Sequence, residues 1–496
     1  MPADPRATCI IGVARRTWRD GAPEPLDMWE EMARAAATDA GTADAAGVLA
    51  GLESIDIVYS QSWQYDDAVA RLAERLGAAP ARRRYSGIGG SVPLVLATEV
   101  ARAVRAGDLD LALVTGAEAL ATVRRLKKAG ERPPWSFRPA EKRPFPMEME
   151  FDPSEVTHQV FEAYLTFALF DNARRAHLGR GLEAHRAALG RVMAPMTEVA
   201  ARSPHAWFPV ARSAGEIATP TADNRMVAYP YTKLMTSIMD VDMAAALVLA
   251  SEEKADALGV PADRRIYLRG WGYAEDPAHI AGHPALWRSP AMKAAADAAL
   301  AGAGIGVDDV AYFDLYSCFA SSVCFALDAL GIPEHDDRAA AVTQTGGLPY
   351  HGGPGSNYMT HSIAAMAETL RADPGAHGLV SGVGMHMQKH AYGAWSADPG
   401  PGTVADPRVD QAVEQPRLIE GAPEGEATVA AYAVLHGRDG VPERALLVCD
   451  VAGGDARCYA QLEGGPDALA QAEQEELVGR TVTVRTENGL NLAYLG

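Results

Sequence analysis

Two stretches about 265 residues apart repeat one device, and this repetition limits the fold more than any other feature of the sequence. Residues 89–119 read GGSVPLVLATEVARAVRAGDLDLALVTGAEA, and residues 354–386 read PGSNYMTHSIAAMAETLRADPGAHGLVSGVGMH. In each, a Gly-Ser turn opens a helix with small and apolar residues at i, i+3, i+4 spacing: Leu94, Ala97, Val100, Ala101 and Val104, then Ile363, Ala364, Met366, Ala367 and Leu370. A polar turn follows, and a short continuous apolar strand (111–114; 379–381) then runs into glycine. A further strand precedes each unit, at 55–59 and 310–315. Continuous apolar strands that alternate with helices belong to parallel sheets covered on both faces, so the spacing predicts a duplicated α/β fold.

Between the copies, residues 123–225 begin RRLKKAGERPPWSFRPAEKRPFPMEME, rich in proline and charge, and continue as a helical stretch from about 153 to 201. An excursion this long inside a compact domain is usually functional, a lid or binding region. The chain is expected to rejoin the first copy at NRMVAYPYTKLMTSIMDVDMAAALVLAS (224–251). After residue 400 comes a Pro/Gly-rich linker, PGPGTVADPRVDQAVEQP (399–416), and then a separate unit. Its strands are 427–437, 444–454 and 457–463, followed by a helix near 466–477 and a closing hairpin around Glu487-Asn488-Gly489, a pattern that fits a small β-barrel of the OB kind. The expected division is 1–122 plus 226–265 as a first half, 123–225 as an inserted domain, 266–412 as a second half and 413–496 as an additional domain.

Composition excludes several function classes. The 45 Lys+Arg against 64 Asp+Glu give a net charge of −19, which argues against a general nucleic-acid binder. The five cysteines, at 9, 318, 324, 449 and 458, are too few and too scattered for a disulfide framework and have no CxxC spacing, so no metal is expected and a reducing cytoplasmic setting is. The N-terminal MPADPRATCIIGVARRTW shows no secretory signal, and nothing approaches the roughly 20 apolar residues of a membrane span.

The duplicated halves, the insertion, the segment FDLYSCFASSVCFALDALGI (313–332), the turn GGLPYHGGPGSNYMTHS (346–362) and the ending LVSGVGMH (379–386) resemble the thiolase superfamily. The likeness is greatest to the sterol-carrier-protein type and to bacterial thiolase-like proteins of type 1, which carry an extra C-terminal domain. The resemblance implies a five-layer αβαβα fold with active-site loops gathered where the halves meet. It also implies a cysteine nucleophile in the turn before the first helix, an activating histidine in a GHP turn of the second copy, and a second cysteine in a CxG loop. A thiolate serves there as both nucleophile and leaving group.

This sequence departs from that pattern at each point. The first turn reads Ser86-Gly87-Ile88-Gly89-Gly90-Ser91, with Gly90 at the nucleophile position; Gly353 replaces the GHP histidine; and Val380-Ser381-Gly382-Val383-Gly384 lacks the second cysteine. Where thiolases place an Asn or His on the oxyanion water, the chain reads Tyr316-Ser317-Cys318-Phe319. The backbone N–H groups of Gly90 and Gly382 still suit a thioester carbonyl, since an oxyanion hole of amides does not depend on side chains. The candidate side chains around it are Tyr316, Cys318, Tyr350, His351 and His386, with Ser91, Ser356 and His361 nearby. His351 is a candidate general base, and Cys318, at a helix start, a candidate thiolate. Steroid side-chain aldolases of thiolase fold have a similar Tyr-Asp-Cys-Phe motif, which points to Tyr316 as a proton carrier in retro-aldol cleavage.

The implied ligand is coenzyme A or an acyl-CoA, with no covalently bound cofactor. Candidate phosphate ligands are Arg225, Lys233, Lys127 and Lys128, with Arg124, Arg125, Arg138, Lys142 and Arg143 close in sequence, while Thr236 and Ser237 match the pantetheine site and Met239 replaces its usual glycine. Three readings stay open: an acyltransferase-like protein with altered chemistry, a β-hydroxyacyl-CoA lyase, and a non-catalytic CoA binder. A homodimer is the family default, and the C-terminal domain is a candidate surface for a protein partner.

Overall fold

The computed structural model describes residues 4–146, 151–400, 408–412, 414–452 and 455–495. Residues 401–407 and 413 of the expected linker, the insertion's 147–150 and the glycines that end the expected strand at 453–454 lie outside the described residues.

The repeated units build one path of nine strands, in the order Arg82–Tyr85, Ser54–Ile57, Leu111–Ala119, Asp242–Ser251, Thr8–Thr17, Ile266–Glu275, Lys389–Ser396, His377–Gly384 and Val310–Asp314. The first five strands come from the first copy and the last four from the second. The copies join where Cys9 and Ile10 pair antiparallel with Tyr267 and Ile266. In both, the early strand runs parallel to the strand after the repeated helix: Ser54–Ile57 beside Leu111–Ala119, and Val310–Asp314 beside His377–Gly384.

The repeated helices, Val92–Ala106 and Tyr358–Ala372, pack against each other and against strands of both halves. Helix Pro25–Asp39 covers the outer face of the first half, and helix Pro290–Ala303 that of the second. The stack therefore reads helix, strands, central helices, strands, helix, the five layers expected. Both outer helices sit directly on glycine: a Cβ at Gly12 would collide with the Ala36 carbonyl, and one at Gly272 with the Ala295 carbonyl. The same close approach in both copies is a structural mark of the duplication.

The C-terminal unit forms a closed barrel from Gly425–His436, Pro442–Val451, Ala456–Leu462, Thr481–Glu487 and Leu490–Leu495. Pairing runs from the first strand to the second, third, fifth, fourth and back to the first, with only the third–fifth contact parallel. Helix Gly465–Ala472 stands between the third and fourth strands. This is the OB-like closure expected from the sequence.

The insertion contains helices Pro153–Thr157, Ala163–His177 and Leu182–Arg202. The expected return to the first copy at 226 differs in the structure: Met226–Tyr229 and Tyr231–Thr232 extend the barrel's sheet, with Ala228 and Tyr229 paired to Leu435 and Val434. The chain re-enters the first copy at Asp242. The cause is packing, since Met226 and Tyr229 are buried in the barrel's own core beside Val429, Tyr432 and Leu447. The seam is also polar: Asn172 donates its amide to the Tyr229 and Tyr432 carbonyls at 3.2 and 2.9 Å, and the buried Arg175 guanidinium pairs with Glu476. Among the described residues no helix is long and apolar enough to cross a membrane.

Candidate functional site

The turns that open the two central helices, 86–91 and 346–357, meet in the middle of the molecule. The Gly89 N–H donates to the Ser356 hydroxyl at 3.0 Å. The second turn is held from below by Asp314, fully buried at the end of its strand. It accepts from the Gln344 and Thr345 amides at 2.8 and 3.1 Å, from both threonine hydroxyls of 343–345, and from the Tyr358 hydroxyl at 3.1 Å.

Within this frame the three glycines at the expected catalytic positions have no empty room beside them. A Cβ at Gly90 would collide with the Tyr316 hydroxyl and with the Val383 carbonyl oxygen. One at Gly353 would collide with the Ser237 hydroxyl, and one at Gly382 with the Met359 sulfur, with the Ser91 Cα only 2.9 Å away. Tyr316, Ser237 and Met359 thus fill the space a side chain at each position would need. Gly90 and Tyr316 are in direct contact, with Val383, the residue after Gly382, against the same glycine. Ser237 lies beside Cys318 as well, donating its N–H to the Cys318 carbonyl at 2.7 Å.

The titratable candidates are held in uncharged forms. Tyr316 is 6 % exposed, and burial pushes its phenol far up. Its ring packs edge-on against Tyr358 at 5.7 Å, and the His351 ring lies 6.0 Å from the same tyrosine. His351 and His361 approach at 3.4 Å between Nε2 and Nδ1, and their remaining ring nitrogens are buried without a partner. Burial holds both well below the ordinary histidine range, His361 next through its neighbour His351. A proton acceptor so weakly basic is poorly matched to general base work at neutral pH. His386 is held down to about 4, again by burial, on a turn where Met385 and Met387 take left-handed backbone at φ 55° and 66°. No hydrogen bond or ring contact among the described residues ties His386 to Tyr316 or His351. The Cys318 thiol, expected as a thiolate, is instead pushed up to about 12 by desolvation, which outweighs its contact with Ser322. Sequence reasoning passed over Glu118, at the end of strand Leu111–Ala119. Fully buried and pushed up to about 7, it accepts from the Gln61 and Ser62 amides at 2.8 and 3.0 Å and from the Ser62 hydroxyl at 2.6 Å.

Open space lies beside this centre, in the insertion. A cavity of about 710 Å³ is lined by Arg124, Arg225, Lys233, Thr236, Ser237 and Met239 among others, and by Arg438 from the barrel. Four expected binding residues, Arg225, Lys233, Thr236 and Ser237, therefore share one groove. The expected Lys127 and Lys128 do not join it; they are exposed on the last turn of helix Leu120–Lys128. Arg124 is paired with Asp240, and Arg225 donates to the Met226 and Gly437 carbonyls at 2.8 and 3.2 Å, whereas Lys233 and Arg438 make no ion pair among the described residues. A second cavity of about 690 Å³ shares Asp223, Lys233 and Ile238 with the first and adds Phe208, Val210, Arg212 and Tyr350. Gly90, Tyr316, Gly353 and Gly382 line neither. Arg438 and Arg212 carried no periodic or motif signal, because one sits on a hairpin tip and the other in an irregular Pro-bounded segment. Among the described residues, no group of three or more His, Cys, Asp or Glu side chains is placed to hold a metal ion.

Comparison with known proteins agrees with this architecture. Residues 407–489 match the family described as the thiolase-like protein type 1 additional C-terminal domain. Peroxisomal 3-ketoacyl-CoA thiolase B of Rattus norvegicus is 32 % identical over 148 residues, 29 % of this chain and 32 % of the rat protein, so the chain spans about a third of the curated relatives it matches. Acetyl-CoA acetyltransferase from Syntrophomonas wolfei and the Ltp2-ChsH2(DUF35) aldolase share the fold at TM-scores of 0.56 and 0.59, with 16 % and 17 % identity; each comparison covers 79 % of this chain, and 99 % and 98 % of theirs. A monomeric SCP2-thiolase-like protein type 1 from Mycobacterium smegmatis is 31 % identical over 100 % of both chains, with a TM-score of 0.86. With that likeness running the whole length, the chain belongs to the thiolase superfamily, as an SCP2-thiolase-like protein of type 1.

Proposed function

We propose that this protein binds a CoA thioester in the groove beside Thr236–Asp240 and does not carry the acyl group on a cysteine. The observation that supports this most is the filling of the three glycine positions by Tyr316, Ser237 and Met359. The groove has the chemistry for the rest of the ligand: Arg225, Lys233 and Arg438 for phosphates, Thr236 and Ser237 for the pantetheine amides. A cytoplasmic role in lipid metabolism belongs to the same reading.

The test is calorimetric titration with CoA alongside a thiolysis assay on acetoacetyl-CoA. Saturable binding without turnover is expected. Lys233→Ala should weaken binding by about tenfold, the scale of one charge-assisted contact, while Lys127→Ala/Lys128→Ala should leave it unchanged. Thiolysis that is lost in Cys318→Ala, or no CoA binding at all, would overturn the proposal.

One observation favours a second reading, cleavage of a β-hydroxyacyl-CoA. The Tyr316 hydroxyl, kept protonated by burial, abuts Gly90, where a thioester carbonyl would be polarised. Turnover of a β-hydroxyacyl-CoA that is lost in Tyr316→Phe and kept in Cys318→Ala would establish it.

A further inference from the structure

The cavity of about 690 Å³ has walls unlike those of the groove it adjoins. Phe208, Val210, Leu234, Ile238, Pro349 and Tyr350 supply an apolar body large enough for a medium acyl chain. Arg212 stands among them, half-buried, and among the described residues no carboxylate lies within the 4.0 Å of an ion pair. Its charge acts on the Tyr350 hydroxyl, and that hydroxyl is itself buried with no hydrogen-bond partner. A buried phenol without a partner is costly unless a ligand satisfies it, and the half-buried Arg212 beside it offers that ligand a charge.

Two acidic groups also face the cavity; neither makes an ion pair with Arg212, although the Glu216 carboxylate lies near enough to feel its charge. The Glu216 carboxylate is engaged by its own helix start, accepting from the Ser213 amide and hydroxyl, both at 2.8 Å. Asp223 belongs, with Lys233 and Ile238, to the wall shared with the neighbouring groove, whereas Arg212 and Tyr350 line this cavity alone.

We propose that this cavity receives the acyl part of the thioester and that Arg212 and Tyr350 bind a carboxylate at its far end, so that the preferred ligand class is an ω-carboxyacyl thioester. This rests on the CoA reading above, and it gives the insertion the task of selecting the acyl group. A charge-assisted contact to a desolvated carboxylate discriminates by roughly 10- to 100-fold.

The experiment compares suberoyl-CoA with octanoyl-CoA, which have the same chain length and differ in the terminal carboxylate. The wild-type chain should bind suberoyl-CoA at least tenfold more tightly. Arg212→Gln should abolish the difference, Arg212→Lys should keep part of it, and Tyr350→Phe should reduce it several-fold. Equal affinities in the wild-type protein, or a preference that survives Arg212→Gln, would overturn the assignment. Free octanoate titrated against octanamide separates the two proposals. If CoA does not bind but octanoate does, with Arg212→Gln removing it, the groove assignment fails and the cavity assignment stands; if CoA binds but octanoate and octanamide are indistinguishable and the two thioesters bind equally, the reverse holds.

Discussion

The meeting point of the two repeated turns and the insertion beside it are opposite kinds of interior. At the turns, every glycine that the family pattern would replace with a reactive side chain is pressed by a neighbour, and His351 and His361 are buried and held in the neutral form. In the insertion, two adjoining cavities keep cations exposed to whatever enters. The duplicated core is the more closely packed of the two, with a cavity of about 220 Å³ beside Gly89 and Ser91, while the cavities of about 690 and 710 Å³ lie against the non-repeated segment. Fold and site can therefore diverge separately within one chain.

The contrast can be broken most forcefully by acid. Six histidines (158, 205, 283, 351, 361 and 386) are held below their ordinary range, chiefly by burial. As pH falls below about 6.5, the unfolded chain takes up protons that the folded chain refuses, so stability present above that pH is lost toward pH 4. Glu118 opposes this, because its raised value makes its contribution full below about 4.5 and lost as pH rises through about 7. Asp242, also raised by burial, acts in the same sense as Glu118, and two carboxyls against six imidazoles still leave a net loss on acidification, of the order of several kcal/mol, between pH 6.5 and 5. Urea midpoints across that range measure it, and a flat profile would mean the turn region is wet.

Gly90→Cys comes next. Restoring the nucleophile sets its Cβ against the Val383 carbonyl, which a side-chain rotation cannot relieve. A loss of about 3 kcal/mol or more is expected from such overpacking, with no gain of thiolysis. A neutral Gly90→Cys would show that the turn has room after all. Asn172→Ala should cost about 2 kcal/mol by leaving two buried carbonyls without a donor, read from thermal unfolding of the whole chain. Gly353→Ala should cost only about 1 kcal/mol, since the Ser237 hydroxyl can turn away, and adding Ser237→Ala should recover most of it. The smallest effect concerns assembly. The edge strand Arg82–Tyr85 presents three arginines, Arg84 held by Asp56 and Glu99, and like charges on an edge oppose pairing with a second copy. Light scattering should give a mass near 52.5 kDa, and Arg82→Val/Arg83→Val should raise the dimer fraction slightly.

Much of this was legible in the sequence because its signals are local. Helical spacing at Leu94–Val104 and Ile363–Leu370, glycine after each strand, and short β-rich runs after residue 424 placed both copies and the barrel. What escaped depends on contacts between distant residues. Tyr316 reaches Gly90 from 226 positions away, and Met359 meets Gly382 only once a helix lies across a strand. Strand Met226–Tyr229 carries the same apolar pattern whichever sheet it joins, so its place in the barrel is decided by the core there and by Asn172. The basic residues were the least legible, because charge runs look alike whether they face water, as Lys127 and Lys128 do, or a groove, as Lys233 does.

The Asn172 clamp sets an order of events during synthesis. Helix Ala163–His177 and strand Met226–Tyr229 leave the ribosome long before the strand they pack against, Gly425–His436, exists. The 260 residues that separate Asn172 from Tyr432 take roughly 13–50 s to translate at about 5–20 residues per second. During that interval the apolar flank of the insertion is without its partner and open to chaperones. The nascent chain therefore matures from its far end, with the last segment made closing over one made much earlier.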